Sequence, residues 1–114
     1  MKLPSVVEKA ARAALDRKAE DVLVLDLKKA SSFTDYFVIA SGNNQKQILA
    51  IADAVLDTLR PLGLRPNHTE GYPRQEWILL DYPGLTVHVF SKKMREFYDL
   101  ERLWGAATRT EVRP

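Results

Sequence analysis

The chain has 114 residues, 46% of them hydrophobic and 28% charged, which is the size and balance of a single globular domain. The absence of cysteine excludes a disulfide framework and a thiolate metal site, and a formal charge of +2 is too weak a bias to indicate nucleic acid as the direct partner. No apolar stretch reaches the roughly 20 residues that span a bilayer, and no signal-peptide block is visible, so we expect a cytoplasmic protein.

The first predicted element is a helix over residues 5–18. Ser5 and Glu8 have the spacing of a capping box, with serine at the N-cap and glutamate three residues later. Val7, Ala11 and Ala14 recur at helical spacing, while the charged residues fall on other faces. The pattern therefore predicts an amphipathic helix that packs one stripe against a sheet.

Two strands are predicted next, over residues 22–27 and 35–41. Both are near-continuous apolar runs, which is typical of strands covered on both faces. Their connection is too short for a crossover helix, so we expect an antiparallel pair at the centre of the sheet.

A turn with the sequence SGNN, residues 41–44, opens a second predicted helix. This helix has a continuous apolar stripe and ends at about Leu62, where Pro61 and Gly63 interrupt it. Residues 65–70 read as a further strand. A strand, a helix and a strand in this order predict a right-handed crossover and one parallel pair.

Residues 76–90, EWILLDYPGLTVHVF, predict a β-hairpin around Pro83 and Gly84, which suit the second and third positions of a type II turn. With that turn, Leu80 faces Val87, and one side of the hairpin is wholly apolar. The other side is chemically mixed, with the residues Trp77, Leu79, Asp81, Thr86, His88 and Phe90.

After the hairpin, a charged segment over residues 91–96 leads into a short predicted helix over residues 97–104. Residues 105–114 have no apolar period, and we expect them to be a disordered tail. The predicted domain is residues 1–104. Its fold class is α/β, with a mixed, mostly antiparallel five-stranded sheet and flanking helices.

The sequence offers little for catalysis. His88 and Asp81 share a face of the hairpin, but no nucleophile accompanies them, and no metal or cofactor motif is present. We therefore predict no catalytic, cofactor-binding or metal-binding residue. One alternative stays open: the Ser41-Gly42 turn before a helix resembles the phosphate-binding turn of nucleotidyltransferases, although the paired carboxylates of that chemistry are missing.

The mixed face of the hairpin is a better candidate for binding a partner, because aromatic side chains outside the core concentrate binding energy at interfaces. The predicted contact residues are Trp77, Leu79, Asp81, His88 and Phe90, with a rim of Lys92, Lys93, Met94 and Tyr98. A second interpretation is that the C-terminal helix covers this face.

The blocks KAEDVLVLDL, SSFTDYFVIASGNNQKQILAIADAV, EGYPRQEWILLDYPGLTVHVF and REFYDLERLW closely resemble the ribosomal silencing factor family, RsfS, also called the Iojap family. The resemblance implies a nucleotidyltransferase-like core without its active site. It also implies a non-enzymatic repressor of translation that is a homodimer when free. Such a protein binds ribosomal protein uL14 of the large subunit, blocks joining of the small subunit when nutrients are short, and touches nucleic acid at most as ribosomal RNA.

The same resemblance assigns individual residues by motif. Trp77 of EW-x-LLDY, His88 of VHVF and Tyr98 of REFYDLE are the positions that it places at the ribosomal contact. The resemblance is also compatible with an effect on large-subunit biogenesis.

Overall fold

The computed structural model describes residues 3–114, in which a single mixed sheet carries helices on both faces. Their bounds in chain order are α1 (Ser5–Asp16), β1 (Glu20–Asp26), β2 (Tyr36–Gly42), α2 (Gln45–Leu59, extended by a 3₁₀ turn at Arg60–Leu62), β3 (His68–Glu70), β4 (Trp77–Tyr82), β5 (Leu85–Ser91), α3 (Lys92–Tyr98), α4 (Leu100–Leu103) and β6 (Thr108–Glu111). Within residues 3–114, none of these helices is long and apolar enough to cross a membrane.

The sheet has six strands in the order β3-β4-β5-β2-β1-β6, rather than the five predicted. The antiparallel pairing of β1 with β2 is confirmed. The mixed character of the sheet is also confirmed, but its parallel pair joins β2 to β5, and the predicted crossover to β3 is wrong. The reason is burial: a strand beside β2 is covered on both faces, which suits the apolar β5 and not the short, fully exposed β3.

The hairpin of β4 and β5 has the predicted register without a bulge. Leu80 is opposite Val87 and Tyr82 is opposite Leu85. Gly84 has φ 75°, as the third position of a type II turn requires. The Gly84 carbonyl also accepts from the backbone N–H of Tyr36 at 3.1 Å, which ties the turn to the start of β2.

The larger core lies between the sheet and helices α1 and α2. The predicted stripe of α1 is buried, and its alanines allow the helix backbone to approach the sheet and α2 closely. The predicted capping box is wrong, because Pro4 is the N-cap of α1 and Ser5 makes no capping bond. Proline suits this position, since its φ of −55° lies near the value that its ring imposes and the N–H it lacks is not needed at the N-cap.

A second, smaller core lies on the outer face of the sheet, under α3 and α4. It contains buried residues of β1, β2 and β5, and the side chains of Met94, Leu100 and Trp104 cover it. Coverage of β1 and β2 on both faces, as predicted from their apolar runs, is therefore confirmed.

The C-terminal helix differs from its prediction. It begins at Lys92, where the hydroxyl of Ser91 accepts from the N–H of Met94, and it breaks at Asp99, which has φ 47°. The apolar period of Phe97, Leu100 and Trp104 is thereby divided between two short helices. Phe97 is 75% exposed as a result, while Leu100 and Trp104 reach the core.

The expectation of a disordered tail is wrong for the residues that form β6. This strand pairs antiparallel with β1, the N–H of Val112 donates to the Val22 carbonyl at 2.9 Å, and Val112 is only 8% exposed. The free edge of β1 supplies backbone partners that a sequence pattern cannot reveal, so four polar residues are ordered by the main chain.

We expect Val112→Ala to lower the free energy of unfolding by about 1 to 2 kcal/mol, because it removes buried methyl groups from the larger core. Deletion of residues 108–114 should cost more, since the pairing with β1 is lost as well. Urea denaturation measures both effects. Glu111→Ala, at an exposed position of the same strand, is the control, and a deletion variant as stable as the full chain would show that β6 contributes nothing.

Candidate functional site

The outer face of the sheet is only partly covered. Helices α3 and α4 lie over β1, β2 and β5, and they leave open the end of the sheet formed by β3 and β4. The open surface, which we call the hairpin surface, consists of the half-buried or exposed residues Trp77, Leu79, Asp81, Lys93, Met94, Phe97 and Tyr98.

Trp77 is at the centre of this surface. Its ring stacks on Phe90 with a centroid separation of 4.9 Å and lies 4.6 Å from the ring of Tyr98. The indole Nε1–H donates a hydrogen bond of 3.1 Å to Nδ1 of His88. Three neighbours therefore hold one half-buried tryptophan, and part of its ring remains accessible.

Two further aromatic side chains extend the surface along α3. Tyr98 is 43% exposed, and Phe97 contacts it edge to face at a centroid distance of 5.1 Å. Phe97 was not among the residues predicted to bind a partner, and the sequence showed it only as an apolar position of the predicted C-terminal helix. The signal available in the sequence was Asp99, a residue type that tolerates left-handed backbone and ends helices.

Two of the predicted contact residues are not accessible. Phe90 is completely buried and His88 is 4% exposed, so their assignment as direct contacts is wrong, and the interpretation that C-terminal helices cover this face is correct for this half of it. Leu79 and Asp81 are half-buried, and Asp81 accepts from the Thr86 hydroxyl at 3.3 Å.

The two rim lysines have different surroundings. Lys92 donates to Glu20 of β1 at 3.1 Å, and this hydrogen bond is the main cause that lowers the pKa of the Glu20 carboxyl. Lys93 instead lines an open groove with Met94, Glu96 and Phe97. Of the two lysines, Lys93 is therefore the one that lies beside the exposed phenyl ring.

Arg95 fixes the position of α3. Its side chain is 11% exposed, and it donates to the Ser41 hydroxyl at 2.9 Å and to the Glu101 carboxylate at 3.3 Å. Arg95 thus joins α3 to the end of β2 and to α4. This link between distant segments could not be identified from spacing in the sequence.

The Ser41-Gly42 turn has a structural explanation. Ser41 is 1% exposed, and a Cβ on Gly42 would lie 2.8 Å from Cγ1 of Ile48, so only glycine permits this approach of α2. Asn44 caps the helix by accepting from the N–H of Gln47, and the Gln47 side chain accepts from the N–H of Asn43. Two amides that a phosphate would use are therefore already bonded.

His88 is a neutral imidazole. Burial lowers the pKa of His88 to about 4, because the charged form would lose its hydration. Since Nδ1 accepts from Trp77, the proton of the neutral ring is on Nε2. Across residues 3–114, no three histidine, aspartate or glutamate side chains form a cluster that could hold a metal ion.

The low pKa of His88 predicts a specific dependence of stability on pH. The unfolded chain binds this proton near pH 6.5 and the folded protein only near pH 4, so the free energy of unfolding falls as the pH is lowered. We expect this group to contribute a loss of about 2 kcal/mol between pH 7 and pH 5, measured by urea denaturation at each pH.

The two histidines of the chain provide the matched pair of variants. His88→Gln should flatten the pH dependence over this range, whereas His68→Gln, at a side chain that is 59% exposed, should leave it as in the wild type. Equal slopes for the wild type and His88→Gln would contradict the assignment.

Comparison with known proteins places the chain in a family. A family model described as "Ribosomal silencing factor during starvation" matches residues 1–114. The chain is 41% identical to "Ribosomal silencing factor RsfS" of Bacillus subtilis over 94% of its length and 91% of that protein. It is also similar to a crystal structure of a Chromobacterium violaceum protein, with TM-score 0.87 and 30% identity over 100% and 95% of the two chains.

A crystal structure from Bacillus halodurans agrees, with TM-score 0.82 and 36% identity over 94% of this chain and 97% of that one. The mixed sheet with helices on both faces is therefore shared with solved structures at substantial identity. The chain belongs to the ribosomal silencing factor family.

Proposed function

We propose that the protein silences translation by binding the large ribosomal subunit through ribosomal protein uL14 and so blocking association of the small subunit under nutrient limitation or in stationary phase. Membership of the silencing factor family supports this function. The observation that carries it in the structure is the run of accessible aromatic rings from Trp77 through Tyr98 to Phe97.

Physical chemistry makes this run the best candidate interface. Large exposed apolar rings on a soluble domain are unfavourable in water, and aromatic residues are the ones that dominate binding energy. Asp81 and Lys93 supply charges of opposite sign at the rim, which can orient a partner. The proposed direct contacts are Trp77, Leu79, Asp81, Lys93, Met94, Phe97 and Tyr98, with Lys92 at the margin and His88 and Phe90 supporting from beneath.

A binding function is supported over the nucleotidyltransferase alternative. The Ser41 hydroxyl, which that chemistry would turn to a phosphate, is buried and bonded to Arg95. Gly42 is required for the packing of Ile48, so the turn needs no ligand to explain its sequence.

The free protein is further proposed to be a cytoplasmic homodimer. Besides the hairpin surface, Phe33 is 73% exposed and Leu103 is 71% exposed. Self-association would remove these apolar side chains from water. Their exposure therefore supports the dimer that the family resemblance implies.

Sucrose-gradient sedimentation of cell lysate tests the function. The protein should migrate with free large subunits and be absent from the fractions of joined ribosomes, because uL14 lies under the small subunit in the proposed mechanism. An even distribution across polysomes would contradict the proposal. Addition of purified protein to isolated subunits should also reduce the fraction that joins.

Phe97→Ala should weaken binding to purified uL14 by about tenfold or more, with an unchanged thermal midpoint, because the ring is 75% exposed in the free protein. Calorimetry and thermal denaturation measure the two quantities. Leu62→Ala is the matched control: Leu62 is 44% exposed in the turn after α2, which packs on the opposite face of the sheet. Equal losses in both variants would place the interface elsewhere.

Trp77→Ala should differ from Phe97→Ala in two respects. It should abolish measurable binding and also lower the free energy of unfolding by about 1 to 3 kcal/mol, because half of the ring packs on the smaller core. Urea denaturation beside the calorimetric titration separates the two effects. Loss of stability with full affinity would remove Trp77 from the interface.

A further inference from the structure

We propose that His88 is a positioning residue for Trp77: its Nδ1 holds the indole N–H inward, so that the partner meets only the hydrocarbon part of the ring. The inference rests on the proposed function, since it concerns how the hairpin surface recognises uL14. It changes the role of His88 from a contact residue to one that acts through its neighbour.

The geometry supports this role. Trp77 is opposite Phe90 and His88 is opposite Leu79, so the tryptophan and the histidine are diagonal neighbours on one face of the hairpin. The Nε1 to Nδ1 distance is 3.1 Å. A diagonal pair can form such a bond only when both rings turn toward each other, which restricts the rotamer of Trp77.

The imidazole cannot easily turn away. The ring of Phe37 lies 4.5 Å from it at 74°, and the ring of Phe90 lies parallel to it within 9° at 5.9 Å. Only 4% of His88 is exposed, so the side chains packed around its ring also restrict its rotation. The lone pair on Nδ1 is thus presented in one direction, toward the indole.

The protonation state of His88 suits its role as the acceptor of the indole N–H. An indole nitrogen can only donate, and a charged imidazolium has no lone pair with which to accept. Burial keeps His88 neutral by holding its pKa far below neutrality. The neutral ring can therefore accept at Nδ1 at physiological pH, while its buried Nε2 makes no hydrogen bond to another residue that the structure describes.

The consequence concerns the chemistry of the partner. The N–H is the single polar group of a tryptophan side chain, and here it is satisfied within the protein. The accessible remainder of the ring is apolar, so we infer that the partner offers an apolar socket with no hydrogen-bond acceptor opposite Nε1. A ring that is already fixed also loses less conformational entropy on binding.

A purely structural His88 would only fill volume. Two variants separate the roles: His88→Leu keeps apolar volume without an acceptor, and His88→Asn keeps an acceptor, because Oδ1 of asparagine is attached at the same position as Nδ1. The readout is the indole N–H signal in nitrogen-correlated NMR, for which Trp104, the second tryptophan, is an internal reference.

We expect His88→Leu to shift the Trp77 indole signal, speed its hydrogen exchange and weaken uL14 binding by about tenfold. His88→Asn should restore most of the signal position and the affinity. An unchanged Trp77 signal in His88→Leu, or a His88→Asn variant as impaired as His88→Leu, would overturn the proposal, since volume alone would then explain the histidine.

A double-mutant cycle checks that the effect passes through the N–H. In Trp77→Phe, which lacks this donor, His88→Leu should cause no further loss of affinity, and an additive loss would overturn the mechanism. If His88→Leu does not fold, NMR of the histidine nitrogens in the wild type decides: Nδ1 should be unprotonated at pH 7, and a protonated Nδ1 refutes the bond. Failure of the wild type to bind uL14 would reject the proposed function, while the indole and histidine signals still test the positioning.

Discussion

The register of the β4 and β5 hairpin determines which side chains of this protein are core and which are surface. Side chains alternate along a strand, so a shift of one residue would exchange Ile78 and Leu80 with Trp77 and Leu79. The turn at Pro83-Gly84 sets this register, and its carbonyl bonds to β2 extend the constraint into the centre of the sheet. The larger core and the hairpin surface therefore both follow from the register of this hairpin.

The outer face is then divided by a second constraint, the attachment of α3 and α4. Arg95 bonds the end of β2 and the carboxylate of Glu101, and the break at Asp99 turns the chain so that Leu100 and Trp104 cover the smaller core. The helices stop short of β3 and β4. The outer face of the sheet therefore has a buried half under α3 and α4 and an accessible half over β3 and β4. The buried half supports the accessible one.

The aromatic residues of the two halves therefore have different roles. Phe90 and His88 are buried and orient Trp77, while Tyr98 and Phe97 continue the apolar surface outward. Rigidity favours affinity at the proposed interface, because a ring held by its neighbours is ordered before the partner binds. The same burial lowers the free energy of unfolding in acid, because the imidazole must remain neutral while it is buried.

Patterns in the sequence predicted the local elements, namely the hairpin and its register, the two apolar central strands and the long helices, and its motifs predicted the family. These follow from periodicity and turn chemistry, which act over a few residues. Only the folded chain shows the parallel pairing of β2 with β5, the ordering of β6 and the burial of His88 and Phe90. Each depends on a partner distant in the chain, such as the free edge of β1 or the helices over β5, and no pattern within a short window contains that partner.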